Sequence, residues 1–363
     1  MKTSLVLIPV LLTAATLAIS ASPAEALRVR KTWDLRQETW ELELKAATSP
    51  EAKAKVLAAR PDATEAARDM WKAIGASLGE EWTIEPAAWF LRATPGLLAT
   101  NPDGSTKPAF ADEIDAVRKA VETRLLKSPK LAPMCMALVT NQDPRALAIL
   151  EKIIAENPDA KVQGVASLAA AMVLKSLGDD TEIMKKRISN LRTAIIKSAD
   201  VDLGGAKVAD LARDELYIIT HLTKGRVAPD LSGANSGGEP MRLSDHKGKV
   251  VYLLFWSSNM LEAKRVAEII AETARKFQGR PFVVVGVNQD NLETLRSLEG
   301  DGTVTWRSFT DLSGELAKEY RVASLPTLYV LDGERKIHYS GTPGTFAELT
   351  AEALLAEAPA ATE

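Results

Sequence analysis

Thiols are almost absent from this chain. Cys135 is the sole cysteine among 363 residues, so no internal disulfide is expected and no pair of thiols exists to carry a dithiol–disulfide cycle. Histidine is nearly as scarce. His221, His246 and His338 fall in three separate segments without HxxxH or HxxE spacing, so no metal site is expected. No phosphate-binding loop and no dinucleotide fingerprint occurs, and no cofactor is expected. Forty-five basic residues against 48 acidic ones leave a net charge of −3, without the basic footprint that nucleic acid requires. Beyond residue 26 no membrane-spanning segment is expected.

What is present reads as an exported two-domain protein. The length allows two cores, and the hydrophobic fraction of 46% and charged fraction of 26% are ordinary for globular domains. Residues 1–26 have the layout of a secretory signal: Lys2, an apolar run from Leu5 to Ile19, and Ala24-Glu25-Ala26 as an A-x-A site. Cleavage before Leu27 and a periplasmic or cell-envelope location are expected. The alternative is a retained anchor, for which about 15 apolar residues are short against the roughly 20 of a spanning helix. No cysteine follows to take a lipid.

Residues 27–222 read as an α-helical domain. Trp33, Leu35, Trp40, Leu42 and Leu44 lie in a charged amphipathic segment, and Met70, Trp71, Ile74 and Leu78 share a stripe within Glu65–Trp82. Thr94–Phe110, rich in proline and glycine, reads as a loop. Asp143 and Pro144 open one helix with the stripe Leu147, Leu150 and Ile154. Asn157-Pro158-Asp159 turns into a second, with Val162, Val165, Ala169 and Val173. This helical hairpin resembles one tetratricopeptide-like unit, although no second copy recurs at a fixed period. Further helices are predicted over 180–198 and 207–222. Cys135, in LAPMCMALV, reads as a buried thiol without a basic neighbour in sequence; a reactive or intermolecular thiol is the other reading. Trp33, Trp40, Trp71, Trp82 and Trp89 suggest either core packing or a tryptophan-lined groove.

The stretch Lys249–Lys264, KVVYLLFWSSNMLEAK, organises the remainder. Val250–Trp256 is a continuous apolar run, as in a strand covered on both faces. Ser257, Ser258 and Asn259 are N-cap types, and Asn259 with Glu262 has capping-box spacing. A helical period follows through Phe277 to Gly279. Strands are predicted at Pro281–Asn288, Thr303–Phe309, Leu328–Leu331 and Arg335–Ser340. Short helices are predicted between them, a turn at Asp332-Gly333, and a last helix at Thr345–Ala356.

This region resembles the thioredoxin-like envelope proteins of the redoxin (AhpC/TSA, TlpA-like) family. The resemblance rests on Ala228-Pro229-Asp230, Leu243-Ser244-Asp245, Phe255-Trp256, Val287-Asn288…Asp290, Gly314-Glu315-Leu316-Ala317…Tyr320 and Leu325-Pro326-Thr327. It implies a thioredoxin-like domain over 225–356, a central mixed sheet flanked by helices, after a linker at 223–232 and before a disordered tail at 357–363. It also implies that the family's two cysteines and following arginine fall on Met260, Ala263 and Lys264, and that Pro326 matches the cis-proline beside the active site. A thioether and a methyl group supply no thiolate, so a degenerate site without catalytic residues is expected. The peroxidatic Pro-x-x-x-Thr-x-x-Cys loop also lacks its cysteine. Trp256, Ser258, Asn259 and Leu325 are then candidates for binding, and Ser257–Asn259 are read as helix caps rather than nucleophiles.

The leading expectation is a redox-inactive binding or scaffolding module whose partner is an envelope protein or an extended peptide. The alternatives are a thiol-disulfide oxidoreductase or antioxidant protein of the family working through Cys135 or a partner's thiol, and a hydrolase or carrier with its site in the helical domain.

Overall fold

The computed structural model describes residues 21–140, 143–178, 180–260 and 262–357, and the chain divides into two compact units between Ala212 and Arg213. The apolar run of the expected export signal therefore lies outside the described residues, as does the tail from 358 onward.

The first unit is helical. Its helices are α1 (Pro23–Ala46), α2 (Pro50–Ala58), α3 (Ala63–Ile74), α4 (Ile84–Ala93), α5 (Ala111–Ala120), α6 (Ala132–Val139), α7 (Arg145–Glu156), α8 (Ala160–Leu177) and α9 (Thr181–Ser198). Ala24–Ala26 are part of α1: the Ser22 hydroxyl accepts from the Glu25 N–H, Pro23 occupies the first turn, and Ala26 is buried. The expected cleavage point thus falls inside a helix. Thr94–Phe110 is not wholly irregular, because β1 (Leu98–Thr100) pairs with β2 (Thr106–Pro108) as a small hairpin. A turn at Asn101–Ser105, with Gly104 left-handed, closes it.

The helical hairpin read from the sequence is present. The Asp143 carboxylate accepts from the Arg145 N–H at 2.8 Å, and Asp159 accepts from the Lys161 and Val162 N–H groups. Asp180 caps α9 in the same way. A Cβ on Gly164 would stand 2.3 Å from the Ser198 hydroxyl, so glycine there is what lets α9 approach α8. Cys135 lies on α6, 0% exposed, with its thiol donating to the Leu131 carbonyl at 3.4 Å.

Helix α10 (Val208–Tyr217) begins before the division between units and runs into a π-helical segment, Ile218–Leu222. Leu222 belongs to the core of the second unit, and Tyr217 and Ile218 pack against it. The segment 223–232, read as a linker, is held on the sheet edge. The Gly225 N–H donates to Ile337, Ile337 donates to Arg226, and Ala228 donates to Arg335. Backbone polar groups here find partners on the neighbouring strand, so the segment becomes part of the fold. A further hairpin, β3 (Ser232–Ala234) with β4 (Pro240–Arg242), follows.

The second unit is a thioredoxin-like domain built on a five-stranded mixed sheet. Its strands are β5 (Val250–Trp256), β6 (Phe282–Asn288), β7 (Arg307–Thr310), β8 (Thr327–Leu331) and β9 (Ile337–Gly341). The order is β7-β6-β5-β8-β9, with β5, β6 and β7 parallel and β8 and β9 antiparallel to their neighbours. All seven residues of β5 are buried. Val250, Tyr252, Leu254 and Trp256 enter one core, and Val251, Leu253 and Phe255 enter the other. The two-residue period of a strand makes this division, and each buried Leu or Phe contributes about 1.5–3 kcal/mol. Helices α11 (Ala263–Lys276) and α14 (Thr345–Glu357) supply apolar residues to the first of these cores, and α13 (Glu315–Glu319) to the second. Helix α12 (Leu292–Gly300), capped by the Asn291 side chain, adds Leu295 to the first core.

Helix α11 departs from expectation at both ends. It begins at Ala263, and its N-cap is Glu262 at φ 61, with no side-chain cap. The Asn259–Glu262 capping box is therefore absent. At the other end α11 stops at Lys276, and Gly279, left-handed at φ 81, closes the following turn rather than the helix itself. The Asp332-Gly333 turn is longer than two residues: Asp332 Oδ1 accepts from the Glu334 and Lys336 N–H groups, and the ladder is irregular between Val330 and Leu331.

Candidate functional site

In α/β domains the carboxyl ends of central parallel strands carry the chemistry, and here β5 and β6 end side by side at Trp256 and Asn288. The centre of that end is a carboxylate, Asp290. It is 6% exposed. The Ser257 hydroxyl donates to it at 2.6 Å, the Ser258 N–H at 2.8 Å and the Asn288 amide at 2.9 Å. Its own N–H donates to Asn288 Oδ1 at 3.0 Å. Burial pushes the Asp290 carboxyl up, but the bonds from Ser257, Asn288 and Ser258 outweigh burial and hold it below the ordinary carboxylate range.

This network decides the fate of the predicted caps. Ser257 and Ser258 are engaged by Asp290, and the Asn259 N–H turns back to Ser257 Oγ at 3.2 Å. Donors tied to a buried carboxylate are held more strongly than a neutral helix cap would hold them. The helix consequently starts later, beyond a turn in which the Ala263 N–H reaches the Met260 carbonyl at 3.3 Å. Asp290 was legible in the sequence only as part of a family motif; its contact with Ser257 spans 33 positions, and no local pattern reports it.

Met260 is half-buried against the α11-side core, Ala263 is half-buried, and Lys264 is exposed. Trp256 is buried, edge-on to Trp306 at 5.8 Å. Ser258 is half-buried and Asn259 exposed. The Leu325–Pro326 peptide is cis. The pairing of Phe255 with Thr327 brings Pro326 beside the end of β5, and Leu325 packs on the opposite core. The structure thus gathers Trp256, Ser258, Asn259, Met260, Ala263, Leu325 and Pro326 at one end of the sheet. Among the described residues no imidazole or lysine joins the Ser257–Asp290 pair, so that hydroxyl has an acceptor but no basic relay. Among the described residues no group of His, Cys, Asp or Glu is arranged to hold a metal.

Cys135 lies in the first unit, and burial pushes its thiol up to about 12. The five early tryptophans do not form one groove. Trp82 and Trp89 line a cavity of about 220 Å³ with Met70 and Pro86, and Trp33 stands edge-on to Trp89. Trp71 packs on Phe90, while Trp40 donates to the Val56 carbonyl beneath the Arg60 guanidinium.

A two-core mixed sheet, a helix leaving the central strand and a cis-proline at the adjoining strand define a thioredoxin-like domain. Residues 224–340 match the model of the AhpC/TSA family. The thiol-disulfide oxidoreductase ResA of Geobacillus kaustophilus is 31% identical over 127 residues, which cover 34% of this chain and 72% of that protein. ResA of Bacillus subtilis is 27% identical over 118 residues, covering 32% of this chain and 65% of that protein, slightly under two thirds of its length. The thioredoxin domain of a thiol-disulfide oxidoreductase from Bacteroides vulgatus is 25% identical, covering 37% of this chain and 98% of that domain, with a TM-score of 0.34. The chain belongs to the AhpC/TSA family through its C-terminal domain.

Proposed function

We propose that the C-terminal domain is a thioredoxin-like binding module of the cell envelope that does not itself exchange disulfides. The observation that carries this reading is the location of the only thiol. Exchange requires a thiolate that can reach a substrate disulfide. Cys135 is buried on α6 of the other unit with a raised pKa, and the strand–helix junction offers Met260 and Ala263 in its place. What remains at that junction suits an extended chain: Leu325 and Pro326 at the head of β8, Ser258 and Asn259 just past the end of β5, and the half-buried Met260.

A second reading, a thiol-disulfide oxidoreductase, is favoured by the names of the relatives. The two separate in one assay. The full chain, given a dithiol and a disulfide-bonded reporter protein, should leave the reporter oxidised; sustained turnover would establish the second reading. Envelope location rests on the pattern of residues 1–26. It predicts a mature chain starting at Leu27 by N-terminal sequencing, whereas an intact Met1 in cytosolic protein would contradict it.

A further inference from the structure

Away from the sheet, the helical unit holds a cleft of about 560 Å³, a size typical of small-molecule sites. One wall is apolar, with Leu97, Leu98, Pro108 and Ile114 from the β1–β2 hairpin and α5. The other carries four charges arranged in a closed, alternating ring. Arg118 Nη1 meets Asp115 at 2.9 Å and Asp143 at 2.8 Å. Arg145 Nη2 meets Asp143 at 2.7 Å and Asp115 at 3.1 Å.

The ring is uneven in its burial. The Arg118 and Asp143 side chains are 9% and 17% exposed, whereas Arg145 and Asp115 are 65% and 51% exposed. The buried half is a fixed pair that anchors α5 to the start of α7. The outer half presents one cation and one anion, about 3 Å apart, at the mouth of an apolar cleft. Two surface charges of this kind add little to stability, since exposed pairs are worth about 0–1 kcal/mol. The direct Arg145–Asp115 contact, the exposed one in the ring, is therefore the contact a ligand can replace at small cost. Arg118 Nε is also buried and finds no acceptor among the described residues, so the guanidinium has bonding capacity that the ring leaves unused.

We propose that this cleft binds a free α-amino acid with an apolar side chain. An α-amino acid carries an ammonium and a carboxylate on one carbon, and so repeats the spacing of the outer pair with the signs reversed. Arg145 keeps its Nε and Nη2 on Asp143, and the ligand carboxylate takes the Nη1–Nη2 edge that Asp115 now occupies. Its ammonium is received by Asp115. The side chain then lies along Leu97, Leu98 and Ile114, where burial supplies the remaining affinity. A simple anion would meet Asp115 and Asp143 as well as the arginines, and a simple cation would meet both arginines; the ring is neutral and selects a ligand that is neutral in the same divided way.

Isothermal titration of the full chain tests this with L-leucine, N-acetyl-L-leucine and L-leucinamide as probes. L-Leucine should bind, and each blocked analogue should bind about tenfold more weakly or worse, a loss of about 1.4 kcal/mol. Arg145→Ala and Asp115→Asn should each weaken L-leucine by at least about tenfold; both side chains are more than half exposed, and far-UV circular dichroism confirms that each variant is folded. Absence of heat with L-leucine overturns the proposal and leaves the ring as a tie between α5 and α7. Equal binding of all three probes also overturns it, because the cleft would then read only the apolar side chain.

Discussion

The Ser257 hydroxyl donates to the Asp290 carboxylate across 2.6 Å, and both groups are buried. That bond joins the ends of the two central parallel strands and sets the course of the chain between β5 and α11. Asp290 has a carboxyl held below its ordinary value, so the folded protein binds this proton less readily than the unfolded chain. The stabilisation is therefore present above the unfolded value of about 4 and is lost as pH falls through the lowered native value. Asp290→Asn should cost about 2 kcal/mol near neutral pH, because its amide hydrogens would face the Ser258 N–H. The cost should shrink in acid. Urea midpoints of both proteins at about pH 7 and about pH 3 measure this; an unchanged difference would remove the charge from the explanation.

Met260→Cys with Ala263→Cys should yield a protein that forms a 260–263 disulfide and reduces the reporter to a measurable extent. The turn bond between Ala263 N–H and Met260 carbonyl brings the two positions close enough for a bridge. Since α11 starts at Ala263, the helix dipole acts chiefly on position 263 and less on 260. Glu262 stands between them and should raise the thiol pKa, so the rate should stay below that of a relative with native cysteines. A folded double variant that cannot form the bridge would show that this turn is not the counterpart of the family's active site.

Cys135 should react slowly with a thiol reagent in the native protein and fast in denaturant. Its thiol is inaccessible and its pKa raised, which together suppress the thiolate. Equal rates in the two conditions would contradict the burial.

Gly286→Ala should destabilise the C-terminal domain by about 1–3 kcal/mol. A Cβ there would stand 2.2 Å from the Ser308 hydroxyl and 2.9 Å from the Trp256 indole nitrogen. Chemical denaturation reads the loss, and a neutral outcome would mean that β7 moves aside freely.

Limited proteolysis should cut the exposed loop around Gly204 and Gly205 and release a C-terminal fragment that retains the end of α10. Tyr217, Ile218 and Leu222 pack on that domain's core, and residues 225–228 are bonded to its edge strand. First cuts between 223 and 228 would instead restore the segment's reading as a free linker.

Runs and periods within single elements were legible in the sequence. Seven consecutive apolar residues in Val250–Trp256, mostly β-branched or bulky and ended by Ser257, read as a strand covered on both faces, and Asp159 and Asp180 mark the starts of α8 and α9 because capping is a local bond. Family motifs added the mixed sheet flanked by helices and the place of Pro326. What only the tertiary structure decided depends on groups far apart in the chain. Ser257 and Ser258 carried the residue types of caps, yet Asp290, more than 30 positions away, takes their bonds and delays the helix to Ala263. Residues 223–232 had the composition of a linker, yet the Ile337 and Arg335 backbone stitches them to the sheet. The ring of Asp115, Arg118, Asp143 and Arg145 has no sequence signature, since it forms only where α5 meets the start of α7. A side chain's own bonding capacity is written in its type; which partner takes it is settled by the competition among all groups that folding brings within reach.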